Sequence, residues 1–269
     1  MEYLIAVDLE GIHGIVGKKY EIMRTTPDYA LSKENAVKEI NVAVKALFDS
    51  GAHKVAVWDN HAGGGNLDFT KIDSRVTEIV NARANRRRMD FTVEHNFAGI
   101  IFIGYHSREG TIGGVLAHTY NSLEIQYVKI NGKPVGELDV DSYIASENGI
   151  PPIFASSDDK AVEQVKEISP DIVTVITKFG KGRHSAEFRD EQAVLNEIYD
   201  GVCKAVKADA RKTPFPAPVN VEIRYSKAVI AEDMLERAGV ANIPAHYGED
   251  SHIVEYTITQ ARDIPYLLG

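Results

Sequence analysis

The chain has 269 residues, of which 44% are hydrophobic and 26% are charged, and its formal net charge is -9. This is the composition of a globular protein with a sizeable core, and the acidic balance argues against a general nucleic-acid binder, which needs a basic face.

The single cysteine, Cys203, excludes an intrachain disulfide, and its helical setting predicts a buried, small apolar side chain. The one basic run, Arg86-Arg87-Arg88, is interpreted as solvated surface. The apolar run at the N-terminus is too short to span a bilayer and is not a signal peptide, so we expect a cytoplasmic protein.

The first half of the chain alternates predicted strands with predicted helices. Residues 3–7, 53–58 and 99–105 are apolar runs of strand length. A helical period of apolar positions follows Ser32, which we expect to cap that helix, and Gly51 suits the left-handed residue that ends it. Strands this apolar are buried on both faces, which favours an α/β fold with a mostly parallel sheet flanked by helices.

A hairpin comes next. Residues 124–130 alternate in polarity, and Asn131-Gly132 suits a tight turn. A helix is predicted to start at Glu137 and to run through Ile144. Further strands are predicted at residues 151–155 and 172–177, and further helices at 161–168 and 187–208.

The segment from Arg211 to Pro218 is the best candidate for a boundary, because three prolines in five residues exclude a regular element. Beyond it, a strand at 219–225, a helix at 231–238 and a strand at 253–259 predict a smaller C-terminal α+β unit. We therefore divide the chain into a main α/β domain, residues 1–212, and a small C-terminal unit, residues 213–269. The small unit carries few candidate catalytic groups, so we expect it to pack beside the main domain.

Residue types that bind metals follow three of the predicted strands. Asp8 and Glu10 follow the first, His61 follows the second shortly after Asp59, and His106 follows the third. The carboxyl ends of parallel strands meet along one edge of a sheet, so these side chains are expected to lie together. Mixed nitrogen and oxygen ligands suit zinc, with manganese or cobalt as alternatives. A carboxylate that bridges two such ions would make a two-metal hydrolytic site in the main domain.

Each of these residues also has an ordinary structural interpretation. An Asp or His at a strand end commonly caps a turn, and Glu10 also fits a surface position. His118 follows a short apolar run, where it can transfer protons or satisfy a core hydrogen bond. Glu137 begins a predicted helix, where a carboxylate is favourable through the helix dipole. The pattern alone therefore leaves the metal site open.

Five motifs, in order and near the expected spacing, resemble the D-aminopeptidase DppA family of zinc metallopeptidases. They are Val7-Asp8-Leu9-Glu10-Gly11-Ile12, Asp59-Asn60-His61, Gly104-Tyr105-His106, Gly114-Val115-Leu116-Ala117-His118 and Asn131-Gly132-Lys133-Pro134-Val135-Gly136-Glu137. The resemblance implies two zinc ions held by Asp8, Glu10, His61, His106 and Glu137. It also implies that His118 is the catalytic residue, described in the family as a nucleophile, and that the chain assembles as a homodecamer.

Three functions remain compatible with the sequence. The first is a two-metal aminopeptidase for short peptides, including those with D-amino acids at the amino end. The second is a metal-dependent amidohydrolase for a non-peptide small molecule, and the third is a metal- or peptide-binding protein without activity. The complete ligand set together with His118 favours an enzyme, and it leaves open whether His118 attacks directly or transfers a proton. Arg108 or Lys178 is a candidate anchor for a substrate carboxylate.

Overall fold

The computed structural model describes residues 1–18, 28–81, 88–209 and 211–268. The strands are β1 (Glu2–Val7), β2 (Lys54–Asp59), β3 (Glu78–Asn81), β4 (Phe97–Ile103), β5 (Ile125–Ile130), β6 (Lys133–Pro134), β7 (Pro152–Asp158), β8 (Val173–Gly182), β9 (Ser185–Phe188), β10 (Val219–Tyr225), β11 (Ala245–Tyr247) and β12 (Ile253–Ile258). The helices are α1 (Asp28–Asp49), α2 (Glu137–Glu147), α3 (Asp159–Ile168), α4 (Glu191–Lys207) and α5 (Ala228–Val240). In these ranges no helix is long and apolar enough to cross a membrane.

The larger sheet has seven strands in the order β3-β2-β1-β4-β7-β8-β9. Every neighbouring pair is parallel except β8 and β9. Because β1 lies between β2 and β4, the segments that follow these three strands emerge side by side at one edge. The predicted α/β class with a mostly parallel sheet is confirmed.

Two apolar cores lie on the two faces of this sheet. Along β1, Tyr3 and Ile5 belong to one core and Leu4 to the other, as the alternation of side chains in a strand requires. Helices α1 and α4 pack together over the first core. Helix α2 and the second sheet cover the other face, so α2 is buried along nearly its whole length. The strands are therefore apolar on both faces, as the sequence predicts.

The smaller sheet is antiparallel, with strand order β11-β12-β10-β5-β6. Strand β10 of the predicted C-terminal unit pairs with β5 of the hairpin, where Ile223 lies opposite Val128. Asn131 and Gly132 both have positive φ, which fits the predicted tight turn between β5 and β6. The division of the chain at residue 212 stays a prediction, and the smaller sheet draws strands from both sides of it.

Some predicted element bounds were wrong. Ser32 does not cap α1: it lies inside the helix, and its hydroxyl donates to the carbonyl of Tyr29. The helix predicted from residue 187 begins at Glu191, capped by Asp190, because residues 185–188 form the edge strand β9. Gly51 has φ +91°, as expected of the residue that ends α1. Cys203 is half-buried, with its thiol 3.8 Å from the carbonyl oxygen of Ala46.

Candidate metal centre

The six residues singled out in the sequence converge on one site. The five ligand candidates are buried, with exposed fractions of 3% to 8%; they are Asp8, Glu10, His61, His106 and Glu137. The segments after β1, β2 and β4 supply four of them, and the first residue of α2 supplies the fifth. His118 is half-buried, with 17% of its side chain exposed, and belongs to the loop between β4 and β5. The site lies at the carboxyl edge of the parallel sheet, where open α/β sheets bind ligands.

Asp8 lies between His61 and His106. Its Oδ1 atom is 2.9 Å from Nδ1 of His61, and its Oδ2 atom is 3.5 Å from Nε2 of His106. Glu10 joins the first half, with Oε2 3.2 Å from the same His61 nitrogen. Glu137 joins the second half, with Oε1 3.1 Å from Nε2 of His106. The two oxygens of Asp8 thus face opposite halves of the cluster.

These separations fit a divalent metal. Ligand bonds of about 2.0 to 2.2 Å around a tetrahedral zinc ion place neighbouring ligand atoms about 3.3 to 3.6 Å apart. The nitrogen–oxygen distances of 2.9 to 3.7 Å within the cluster lie around that range. Two sets of side chains have ligand atoms within 4.8 Å of one another, and they share His106: Asp8, Glu10 and His106, and His106, His118 and Glu137. The donor set, all nitrogen and carboxylate oxygen, is the one that zinc accepts.

Two backbone carbonyls orient the imidazoles of His106 and His118. Nδ1 of His106 is 3.0 Å from the Ser107 oxygen, and Nδ1 of His118 is 2.8 Å from the Leu116 oxygen. A carbonyl only accepts, so both Nδ1 atoms donate and both Nε2 atoms are left for a metal or a proton. The rings stack, with centroids 3.8 Å apart, and Nε2 of His118 is 3.7 Å from Oε1 of Glu137. His118 is therefore placed either to bind a metal or to act beside one.

The backbone around His118 is unusual. Leu116 and Tyr120, two residues before and two after it, both have left-handed φ angles, of 51° and 59°. Non-glycine residues rarely adopt this conformation, which costs free energy and needs support from the surroundings. That support includes hydrogen bonds from the Leu116 N–H to the Arg183 carbonyl and from the Tyr120 N–H to Oε1 of Glu137, both 2.8 Å. The second bond ties the His118 loop directly to a ligand candidate.

Burial and close packing perturb the acids and bases of the site. Burial, followed by repulsion from Glu10, raises the pKa of Asp8. Burial lowers the pKa of His106, but the neighbouring carboxylates of Glu137, Asp8 and Glu10 together raise it to about 10. Burial and the neighbouring His106 charge instead lower the pKa of His118. A lowered pKa favours the neutral imidazole, which is the form that a general base or nucleophile requires.

Arg88 was wrongly interpreted as solvated surface. Its guanidinium binds both oxygens of the fully buried Asp141, and one of these contacts, from Nη2 to Oδ2, is 2.8 Å long. No local pattern reveals this pairing, because the partners are 53 residues apart. A usable signal was the sequence of α2, where acids at 137, 139 and 141 stand in a helix without a polar face. Arg86 and Arg87 lie outside the described residues.

The structure also weighs against both candidate carboxylate anchors. Lys178 is fully buried, and its ammonium donates to three backbone carbonyls, of Glu10, Ile12 and Ile15. An ammonium has three donors, so none remains for a substrate. Arg108 faces Glu167, with nitrogen–oxygen distances of 3.3 and 3.4 Å. Lys178 instead fastens the segment that carries Asp8 and Glu10.

Comparisons with known proteins identify relatives of this chain. A family model described as D-aminopeptidase matches residues 1–263. A D-aminopeptidase of Bacillus subtilis (strain 168) is 28% identical over 178 residues, which are 66% of this chain and 64% of that protein. The solved structure of the Zn-dependent D-aminopeptidase DppA from Bacillus subtilis, described as a self-compartmentalizing protease, matches with a TM-score of 0.87. That match covers 100% of this chain and 95% of the other at 21% identity, which shows a shared fold.

Proposed function

Because the chain belongs to the D-aminopeptidase family, we propose that it is a two-metal aminopeptidase that releases amino acids, including D-amino acids, from the amino end of short peptides. The observation that carries the proposal is the position of Asp8, whose two oxygens face His61 on one side and His106 on the other. A carboxylate in this position suits a bridge between two ions. The relatives support zinc, since the matching structure is that of a Zn-dependent enzyme.

In the proposed site, Asp8, Glu10, His61, His106 and Glu137 would together hold the two ions. Glu10 lies beside His61 and Glu137 beside His106. Zinc bound there supplies Lewis acidity, polarising a carbonyl group and lowering the pKa of water. The protein contributes the fixed geometry and burial, which exclude bulk solvent from the reacting groups.

His118 is the proposed catalytic residue. Its Nδ1–H is held by the Leu116 carbonyl, so Nε2 carries the lone pair. Its lowered pKa keeps that nitrogen free near neutral pH, where it can accept a proton and return it to the leaving amine. Direct attack by the same nitrogen is the alternative role. In both roles the hydrogen bond from Nδ1 to the Leu116 carbonyl orients the ring.

We further propose a cytoplasmic homo-oligomer, with a homodecamer as the specific form. The description of the matching structure as self-compartmentalizing supports an assembly that encloses its sites. Large apolar side chains that are mostly exposed in the single chain are consistent with subunit contacts; they include Ile112, Leu123 and Val240. Light scattering behind size exclusion measures the mass, and a monomer at micromolar concentration would contradict the assembly.

The test of the function combines metal content with hydrolysis. Metals per chain are counted by plasma mass spectrometry, and amino-acid release is followed from matched short D- and L-peptides. Close to two zinc ions with release from the amino end of D-peptides is the expected result. Two metals without peptide turnover would point to the alternative, an amidohydrolase for a non-peptide molecule. No bound metal after reconstitution with zinc, manganese or cobalt would overturn the proposal.

The variant His118→Ala separates catalysis from metal binding. We expect it to keep both metals and to lose at least about a hundredfold in turnover, the usual contribution of a positioned acid–base group. His252→Ala is the matched control, because Nδ1 of that half-buried histidine also faces a backbone carbonyl, that of Tyr225, in the smaller sheet. Loss of one metal from His118→Ala would instead assign His118 as a ligand, as its place beside His106 and Glu137 also allows.

A further inference from the structure

A buried ion pair lies directly behind the metal centre. The Arg88 guanidinium contacts Asp141 through Nε and Nη2. Its carbon atom, Cζ, lies 5.1 Å from the ring centroids of both Trp58 and Tyr120. Only 15% of the Arg88 side chain is exposed, and none of Asp141. Buried pairs add little net stability, because desolvation offsets their attraction. The position of this pair relative to the ligands is its distinctive feature.

Asp141 is hydrogen-bonded to the residues that precede two of the histidines. The hydroxyl of Tyr105, next to His106, donates to Oδ2 of Asp141 at 2.7 Å. Nδ2 of Asn60, next to His61, donates to the Tyr105 hydroxyl at 2.9 Å and lies 3.5 Å from Asp141 Oδ2. One carboxylate therefore ties together the chain segments that follow β2 and β4.

The same pair reaches the third ligand segment. Asp141 lies one helical turn after Glu137 on α2, so the helix backbone fixes one relative to the other. Arg88 adds a direct contact, with Nη2 3.8 Å from Oε2 of Glu137. The other oxygen of Glu137 faces His106, so the guanidinium lies on the side of this carboxylate away from the imidazole. His61, His106 and Glu137 are thus all connected to one buried ion pair.

We propose that Arg88, Asp141, Tyr105 and Asn60 form a positioning network that sets the metal affinity of the site. The inference rests on the proposed metal-dependent function and deepens it. Metal affinity depends on holding the ligands at fixed separations, and the groups that hold the ligands commonly contribute 10- to 100-fold to it. The network contacts Glu137 and the residues next to His61 and His106, so it is expected to act through the ligands.

Two variants test the network without leaving a charge buried alone. Tyr105→Phe removes one hydroxyl. The double variant Arg88→Met, Asp141→Leu replaces the ion pair by apolar side chains, and such a replacement of a buried pair often leaves the stability of a protein unchanged. Zinc affinity is measured by competition with a chromophoric chelator at fixed pH, and the melting temperature is measured on the metal-free protein. We expect zinc affinity about tenfold weaker for Tyr105→Phe and up to about a hundredfold weaker for the double variant.

Two matched controls separate positioning from folding. Tyr225→Phe removes another buried, hydrogen-bonded hydroxyl, in the smaller sheet. The double variant Arg75→Met, Asp73→Leu removes an exposed pair that also has two nitrogen–oxygen contacts, of 3.0 and 2.6 Å. Both controls are expected to bind zinc with wild-type affinity.

The inference is overturned if the network variants bind zinc with wild-type affinity, or if the control variants lose as much zinc affinity as the network variants. It is also overturned if affinity falls only in proportion to a lower melting temperature of the metal-free protein, because that result shows a structural role alone. Wild-type protein that binds two zinc ions but cleaves no peptide would refute the aminopeptidase and leave the network intact. Wild-type protein without measurable zinc affinity would refute both.

Discussion

Substituting Lys178 by Met should destabilise the protein without any direct effect on substrate binding. The Lys178 ammonium donates to the carbonyls of Glu10, Ile12 and Ile15 at 2.6, 2.8 and 2.7 Å. The side chain is fully buried in the middle of β8, and the three carbonyls belong to the segment after β1. Met keeps the length and apolar body of the side chain but leaves all three carbonyls without this donor.

The magnitude follows from two opposing effects. Each charge-assisted hydrogen bond contributes about 1.5 to 3 kcal/mol, so three contribute roughly 4.5 to 9 kcal/mol. Burial lowers the pKa of Lys178 from 10.5 to about 8, and this shift corresponds to a cost of about 3 kcal/mol for keeping the ammonium charged at neutral pH. The net loss expected for Lys178→Met is therefore about 1.5 to 6 kcal/mol, which lowers the melting temperature by roughly 3 to 24 °C in a chain of this size.

Thermal unfolding followed by circular dichroism measures the effect, with Lys181→Met as the matched control. Lys181 lies on the same strand, with 56% of its side chain exposed and Glu187 3.3 Å away, so its loss should cost less than about 0.5 kcal/mol. A melting temperature of Lys178→Met within about 2 °C of the wild type would refute the reasoning, as would an equal fall in Lys181→Met. A lysine that anchored a substrate carboxylate would show the opposite pattern, an unchanged melting temperature and a raised KM.

Two further predictions concern buried positions near the same segment. Burial raises the pKa of Glu39 to about 7. Between pH 4.5 and 7 the folded chain therefore keeps a proton on Glu39 that the unfolded chain has lost. The contribution of Glu39 to stability falls as the pH rises between those values. Glu39→Gln stays neutral, so its free energy of unfolding should match that of the wild type near pH 4 and exceed it by about 3 kcal/mol at pH 8. Denaturant titrations that give the same difference between variant and wild type at both pH values would contradict this. Gly11→Ala should cost about 3 kcal/mol or more, because the new Cβ would lie 2.0 Å from the Tyr105 carbonyl oxygen. Gly239 lies in α5 with open space around it, so Gly239→Ala should instead raise the free energy of unfolding by about 0.5 to 1 kcal/mol. Similar melting temperatures for the two variants would show that the close contact at residue 11 is relieved at little cost.

The arrangement of strand ends was predictable from the sequence because its causes are local. An apolar run with polar residues immediately after it identifies a buried strand and its carboxyl end. Strands β1, β2 and β4 are neighbours in the sheet, so Asp8, His61 and His106 meet without any further information. His118 and Glu137 were assigned to the site by family resemblance. His118 lies in a loop and Glu137 at the start of a helix, and the local sequence there does not show which strand end the side chain approaches.

The features that sequence reasoning missed depend on partners far along the chain. Arg88 stands after two other arginines and matches an ordinary surface run, and only Asp141, in a buried helix, changes that interpretation. Lys178 resembles a solvated lysine until the segment after β1 folds over it. The edge strands β3, β9 and β11 are four residues or fewer, too short for a period to show. In each case tertiary contacts override the local pattern.

The pairing of β10 with β5 has a consequence for the order in which the protein matures during synthesis. Strand β5 leads through the hairpin to Glu137, and its partner strand is not made until residues 219–225 emerge. At common translation rates the 88 residues between them take on the order of ten seconds. During most of that interval the nascent chain already contains all five ligand candidates, while β5, which leads to Glu137, lacks its partner β10. The strand that pairs with β5, and so supports the hairpin leading to Glu137, is therefore among the last parts of the chain to be made.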